Sequence, residues 1–308
     1  MNTPADAPTL ARARLYVLAA SLLWSTSGAF TKALTEDTTF GWNIPPIAGF
    51  AVPGFAKPFP LQIACYRAAF AGMLLVPTLR LRTLTVRRSM FVMGLLFVTM
   101  NVTFLSALAL GTAANAILLQ YSAPLWVYLA GILWLREKPE RRSTVAMWLG
   151  LAGIGIIVAG GWQDGELPVM MLALISGLAY GGVLVCLRLL RDVSASWLTV
   201  WNFFWSALVL LPVVAFMVPP TKAQLAVLLV YGTLQMGLPY WLLAKGLRSV
   251  GPQEAGTICL LEPLLNPLWA YLVSPGTEKP SVFTFIGGAV ILATLAWRYW
   301  PRNAGVHR

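Results

Sequence analysis

Few residues in this chain can do chemistry on a solute, and most of them lie where polarity is expensive. Glu262 is the only acidic residue near the middle of an apolar segment. An acid at the centre of a bilayer costs on the order of 2.5–3.5 kcal/mol on insertion scales. Two readings of it stand open. It is a proton-coupling group or a partner for a substrate amine, or it is a protonated, hydrogen-bonded packing residue beside Pro263, whose missing N–H leaves a carbonyl unpaired. Arg67, inside another apolar segment, either holds a substrate carboxylate or snorkels and pairs with carbonyls. Lys32 and Arg188, at segment ends, are expected to snorkel. Trp24, Tyr66, Tyr121, Trp201 and Tyr240 lie deeper and offer ring faces to a flat or zwitterionic solute, with plain packing the alternative for half of them. Asn101 and Gln235 sit near the centres of two segments. Amides in hydrocarbon need partners, so each is an interhelical hydrogen bond or a ligand contact. The candidate substrate-binding set is therefore Trp24, Tyr66, Asn101, Tyr121, Trp201, Gln235, Tyr240 and Glu262. Gln120, Tyr180, Asn202 and Asn266 are further polar mid-segment residues.

Enzymatic signatures are absent. The sequence has no GxxxxGK[ST], HExxH or GxSxG motif and no metal-spaced Cys/His cluster, so no catalytic residue, metal or cofactor is expected. Cys65, Cys186 and Cys259 are scattered through apolar runs, and the only histidine is His307 in the tail. Asp164 with Glu166 is the one loop candidate for a membrane-embedded lipid-modifying enzyme, and it reads better as a solvated turn. Glu254 reads as a helix-dipole partner at a helix start.

These residues must be held by helices in lipid. Of 308 residues, 58% are hydrophobic and 11% charged, with a mean hydropathy of +0.73. A soluble domain carries about 25% charged residues. Apolar segments predict ten spans at about 13–34, 60–79, 89–110, 112–135, 143–161, 167–190, 195–217, 223–247, 252–273 and 280–300. They lack period-2 alternation, which excludes barrel strands. Arg12 and Arg14 ahead of Leu15 resemble a signal sequence, but the apolar run is long and the segment reads as a retained first helix.

With both termini in the cytoplasm, the inside segments hold 17 of the 22 basic residues, among them Arg80, Arg82, Arg87, Arg302 and Arg308. The outside loops hold Lys57, Lys222 and Lys279. This is a positive-inside pattern, so the net charge of +11 reports topology and not nucleic-acid binding. Trp134, Trp162, Trp297 and Trp300 read as an interfacial belt. The outer loop 35–60 holds Trp42 and five prolines and is expected to lie as a lip over the first half.

The chain also repeats itself. Pro124-Leu-Trp-Val-Tyr-Leu129 matches Pro267-Leu-Trp-Ala-Tyr-Leu272, and Glu137-Lys-Pro139 matches Glu278-Lys-Pro280. Trp24 with Lys32 in span 1 matches Tyr180 with Arg188 in span 6. The Glu-Lys-Pro turns are read as helix ends rather than chemistry. The copies lie five spans apart, so they oppose each other in the membrane, as in inverted-repeat transporters. This predicts repeats over 1–162 and 163–308. Gly150, Gly153, Gly155 and Gly160 in span 5, with Gly287 and Gly288 in span 10, suggest close helix packing, with a homodimer seam as one use. Pro124, Pro239, Pro263 and Pro267 mark kinks.

Trp24 with Lys32, Arg67, the Pro124 helix ending in Arg136-Glu-Lys-Pro139, and Leu261-Glu-Pro-Leu-Leu-Asn-Pro267 together resemble the drug/metabolite transporter superfamily, in its ten-helix EamA-type branch. The resemblance covers nearly the whole chain. It implies an all-α membrane protein with cytoplasmic termini, spans 1–4 and 6–9 around a central cavity, and spans 5 and 10 at the periphery. Among its members the aromatic amino-acid exporters look most similar. The expected function is export of a small amino-acid-like solute across the cell (inner) membrane by alternating access between the repeats. Export of drugs or other metabolites coupled to protons is the alternative, followed by a lipid-modifying enzyme and a non-transporting receptor. Without a second buried acid, uniport or exchange stands level with proton antiport. Lipid and a small-molecule substrate are the expected partners.

Overall fold

A computed structural model describes residues 7–36, 44–79, 84–134, 136–163 and 165–300. Trp42, Arg80, Arg82, Asp164, Arg302, His307 and Arg308 lie outside the described residues, as does part of the Pro-rich loop.

Among the described residues the chain is helical, and its only β-pairing is an isolated antiparallel bridge between Phe50 and Phe59. Nine helical stretches are long and apolar enough to cross a membrane, from Leu61–Thr78 to Val282–Tyr299. A further helical stretch precedes them, made of α1 (Ala7–Trp24) and α2 (Ser27–Thr35). The remaining helices are α3 (Leu61–Leu75), α4 (Arg88–Leu110), α5 (Ala113–Gln120), α6 (Ala123–Leu133), α7 (Arg141–Gln163), α8 (Leu167–Leu189) and α9 (Ala195–Val214). They are followed by α10 (Lys222–Val230), a π-helical stretch at Tyr231–Gly237, α11 (Leu238–Gly246), α12 (Pro252–Cys259), α13 (Leu261–Val273) and α14 (Val282–Tyr299).

Four of the expected spans are interrupted, each within a few residues of a polar side chain. The first breaks at Ser25 and Thr26, whose hydroxyls donate to Leu22 O and Leu23 O and replace the regular ladder. The fourth breaks at Tyr121–Ser122, before Pro124. The eighth widens into the π-turn ahead of Pro239, and the ninth breaks at Leu260, ahead of Pro263. A proline inside a helix cannot bond the carbonyl four residues earlier. Here those carbonyls belong to Gln120, Gln235 and Cys259.

The largest contacts pair α4 with α8, α7 with α14, α3 with α9, and α1 with α11; α2 lies against α13. The α7–α14 contact uses the glycines. A Cβ on Gly153 would lie 2.8 Å from Gly287 O, and one on Gly287 2.6 Å from Ile157 Cγ1. Small residues let backbones approach this closely. Gly153 and Gly287 thus join two helices of one chain, while Gly155 meets nothing within 4 Å. Leu105, Leu108, Ile117 and Leu119 form part of the main core, while Leu208, Leu211, Phe285 and Phe216 remain exposed on the flanks. A flank this apolar has lipid as its solvent. Trp134 and Trp162 stand 81% and 71% exposed at helix ends, as an interfacial belt requires.

The loop between α2 and α3 folds back over the bundle. Ile47 is buried with its N–H on Leu34 O, and Pro45 O accepts from Gln224 of α10. Lys57 reaches Glu36.

Candidate functional site

The breaks converge on a central cavity of about 350 Å³. Trp24 and Ser27 flank the first break, and Gln120 and Tyr121 end the first piece of the fourth span. Gln235 sits in the π-turn, and Cys259 and Glu262 bracket the last break. Arg67, Tyr180 and Tyr240 complete the polar wall. A kink turns side chains and loosened carbonyls inward at the depth where a straight helix would show only apolar surface.

Each polar group has a specific support. The Tyr121 hydroxyl lies 2.9 Å from Glu262 Oε2 and 3.0 Å from Cys259 O, so it serves both the acid and the carbonyl that Pro263 frees. Gln235 Nε2 donates to Trp24 O at 3.1 Å, while its Oε1 is buried with no partner among the described residues. Arg67 donates from Nη1 to Tyr231 Oη at 3.1 Å and from Nη2 to Asn101 Oδ1 at 2.5 Å, and its guanidinium stacks 4.9 Å from the Tyr231 ring centroid. Its Nε is also buried without a partner among the described residues. Trp24 and Tyr240 meet edge to face at 5.2 Å. The cavity runs from Arg67 and Ser27 towards Leu247, Gly256 and Tyr299, at the end of the bundle that carries Lys245, Arg248 and Arg298.

The opposite end is shut by a buried ionic cluster. Lys32 Nζ lies 3.1 Å from Glu36 Oε1, 3.2 Å from Glu278 Oε1 and 2.8 Å from Gly111 O. Both Glu278 oxygens accept from Ala113 N–H. Glu36 accepts from Ser274 and Thr277 through Oε2 and pairs with Lys57 through Oε1. Lys32 and Glu278 are each 1% exposed. Burial by itself would raise the Glu36 carboxyl, but the hydroxyls of Ser274 and Thr277 and the charge of Lys32 hold it down at about 2. Burial dominates at Glu278 and raises it, with Lys32 opposing. Lys32 therefore does not snorkel: it has three buried acceptors and no need of the interface. Glu278 is not merely a helix end, and two acids, Glu36 and Glu278, are buried at this end of the bundle.

Five of the eight sequence candidates line the cavity: Trp24, Tyr121, Gln235, Tyr240 and Glu262. Asn101 does not line it. It stands behind Arg67, accepting from it and donating to Ala64 O and Ser206 Oγ. Tyr66 and Trp201 face a separate apolar pocket of about 660 Å³ between α3 and α9. The reason is helical phase. Phe203 packs against Tyr240, and two residues along a helix turn the side chain by about 200°, so Trp201 points away. Its indole N–H donates to Met90 O, and its ring stacks on Trp205 at 5.7 Å. Tyr66 is likewise one residue out of phase with Arg67. Arg67, Gln120 and Tyr180 were recognisable as polar mid-segment residues but could not be assigned a face. Ser27 and Cys259 gave no such signal.

A profile of the EamA-like transporter family matches residues 11–159 and again 167–299. This chain belongs to the EamA-like transporter family. It is thus a multi-pass membrane transporter. A Bacillus subtilis (strain 168) protein described as the uncharacterized transporter YojE is 26% identical over 226 residues, covering 71% of this EamA-like chain and 74% of its own. A solved crystal structure superposes with a TM-score of 0.59 at 20% identity, over 93% of this chain and 97% of that one, which shows the shared fold.

Proposed function

We propose that this transporter exports a small amino-acid-like solute, aromatic or neutral, through the central cavity by alternating access. The observation that carries the reading is one cavity lined by a guanidinium, a carboxylate and several aromatic faces; beside it Arg67 Nε and Gln235 Oε1 are buried with no partner among the described residues. A carboxylate fits the remaining donors of Arg67. An ammonium fits Glu262. Trp24, Tyr180 and Tyr240 suit a ring or apolar side chain between them. A volume of about 350 Å³ is at the small end of the usual 300–1,000 Å³ for ligand sites and favours a compact solute.

Ten spans in two inverted halves, with cytoplasmic termini in the cell (inner) membrane, complete the proposal. The family profile matches twice, once in each half. The packing supports the same symmetry. Spans 2 and 7 (α3, α9) and spans 5 and 10 (α7, α14) pair with their own counterparts, and spans 3 with 6 and 1 with 8 are exchanged copies of one contact. In this topology the cavity opens to the cytoplasm and the Lys32 cluster closes the outside.

The test is efflux from proteoliposomes of purified protein, screened over amino acids and their decarboxylated amines, with and without a pH gradient. Saturable efflux of neutral or aromatic amino acids is expected. Absence of flux for every amino acid, with flux for an unrelated solute, overturns the substrate assignment.

A further inference from the structure

The two Glu-Lys-Pro turns occupy equivalent places in the repeat but opposite ends of the bundle, and their glutamates are in opposite states. At the outer end Glu278 is 1% exposed and lies 3.2 Å from Lys32, also 1% exposed. At the other end Glu137 is 56% exposed and lies 3.7 Å from Arg188, 52% exposed. Lys32 and Arg188 are themselves repeat counterparts, each eight residues beyond an aromatic cavity residue, Trp24 and Tyr180. One repeat-related ion pair is thus buried and supported, and the other is stretched and wet.

We infer that Lys32–Glu278 and Arg188–Glu137 are the two gates of the transport cycle, one made where the other is broken. This rests on the inverted-repeat reading above. When two related halves exchange conformations, each takes up the arrangement its counterpart has here. The outward-open state then buries Arg188 against Glu137 and exposes Lys32 and Glu278. The free-energy difference between the states is set by a competition of two like pairs. An exposed pair contributes little, and a buried pair repays the hydration its charges lose only where further hydrogen bonds satisfy them, so each pair favours the state that buries it to the extent that its surroundings supply those bonds. The outer gate also has more partners: Glu36, Gly111 O and the Ala113 N–H join it. Among the described residues, the inner pair's turn is fixed by Glu137 N–H on Gly131 O. That asymmetry places the resting protein with the outside closed.

Cys259, in the cavity wall, is a native reporter. Full-length protein with Cys65→Ala and Cys186→Ala is reconstituted right side out and treated from outside with a membrane-impermeant maleimide. Glu278→Gln is expected to speed labelling by at least about tenfold, the worth of a charged hydrogen bond. Glu137→Gln is expected to slow it, and the Glu278→Gln/Glu137→Gln double variant to return it towards the parent rate. An unchanged rate in Glu278→Gln, or a double variant as fast as Glu278→Gln alone, overturns the inference. The labelling needs no knowledge of the substrate. Amino-acid efflux without coupled gates sinks the gates alone, and coupled gates without amino-acid efflux sink the substrate assignment alone.

Discussion

Replacing Arg67 by Met separates a substrate role from a structural one. The guanidinium spends Nη1 on Tyr231 and Nη2 on Asn101, and Nε lacks a partner among the described residues. Tyr231 Oη loses little in the variant, because Thr31 at 2.8 Å and Ser27 O at 3.0 Å remain. Asn101 Oδ1 loses its guanidinium donor, and a buried stranded acceptor costs about 1–3 kcal/mol. Arg67→Met should therefore lower stability by about that much and still fold. A hydrogen bond from a charged donor to a substrate carboxylate is worth about 1.5–3 kcal/mol, so the apparent KM for an amino acid should rise by roughly 10- to 150-fold. The decarboxylated amine of the same side chain should be carried by wild type and variant with KM values within about threefold of each other. Arg67→Lys should not restore the amino acid, since an ammonium cannot hold Tyr231, Asn101 and a carboxylate in one plane. The assay is counterflow in proteoliposomes with amino acid and amine in parallel. Equal loss for both solutes would refute the carboxylate role, as would wild-type amino-acid flux in Arg67→Met.

Other changes probe the remaining parts. Glu262→Gln should cut flux of zwitterionic solutes at least about tenfold, and any response of wild-type flux to an imposed pH gradient should vanish; a variant with an intact pH response removes Glu262 as the coupling group. Tyr121→Phe leaves Cys259 O and Glu262 Oε2 without their shared donor, and thermal unfolding in detergent should show a loss of about 1–3 kcal/mol. Glu36 is held at about 2 against an ordinary 4.5, which corresponds to about 3 kcal/mol. Its folded value is depressed, so its stabilisation is complete above the unfolded value and is lost as pH falls towards 2. Glu36→Gln should therefore lie below wild type by a constant margin from pH 5 to 8 in thermal unfolding, and the gap should close only under more acid conditions. A gap that widened on acidification would contradict this sign.

The lipid-facing architecture was legible because it follows from composition. Long apolar segments, basic residues gathered at alternate ends and tryptophans at helix termini are each imposed by the bilayer, whatever the tertiary packing. Three of the breaks were legible as prolines, since Pro124, Pro239 and Pro263 each forbid a particular backbone bond, whereas Pro267 lies inside the uninterrupted α13. The break at Ser25–Thr26 was not, because serine and threonine interrupt a ladder only when their hydroxyls turn back onto it, and nothing in their spacing demands that. The glycine seam shows the same limit from another side. Small residues announce a close approach but not its partner, and the partner of Gly153 proved to be Gly287 of the same chain.

Side-chain direction around each helix was the part the sequence withheld, and it decided the site. Trp201 and Tyr66 are as aromatic and as deep as Trp24 and Tyr240, yet a phase difference of two residues and of one residue, respectively, sends them to the flank. An amphipathic soluble helix shows its phase in its polar face; a helix wet by lipid has apolar residues all round, so phase is hidden. Position along the helix misled in a second way at Lys32 and Glu278. A charge near a span end normally reaches the interface, and that rule assumes the interface is the nearest partner. Here Glu36, Glu278 and Gly111 O come from three separate parts of the chain and meet the ammonium first. The repeat already contained the warning: Lys32 and Glu278 match Arg188 and Glu137, so two basic residues and two acids recur in the same relation at opposite ends. A match between single charges is weak. A match between pairs, whose members lie far apart in sequence and adjacent in space, is what an inverted fold must conserve if each half is to take the other's place.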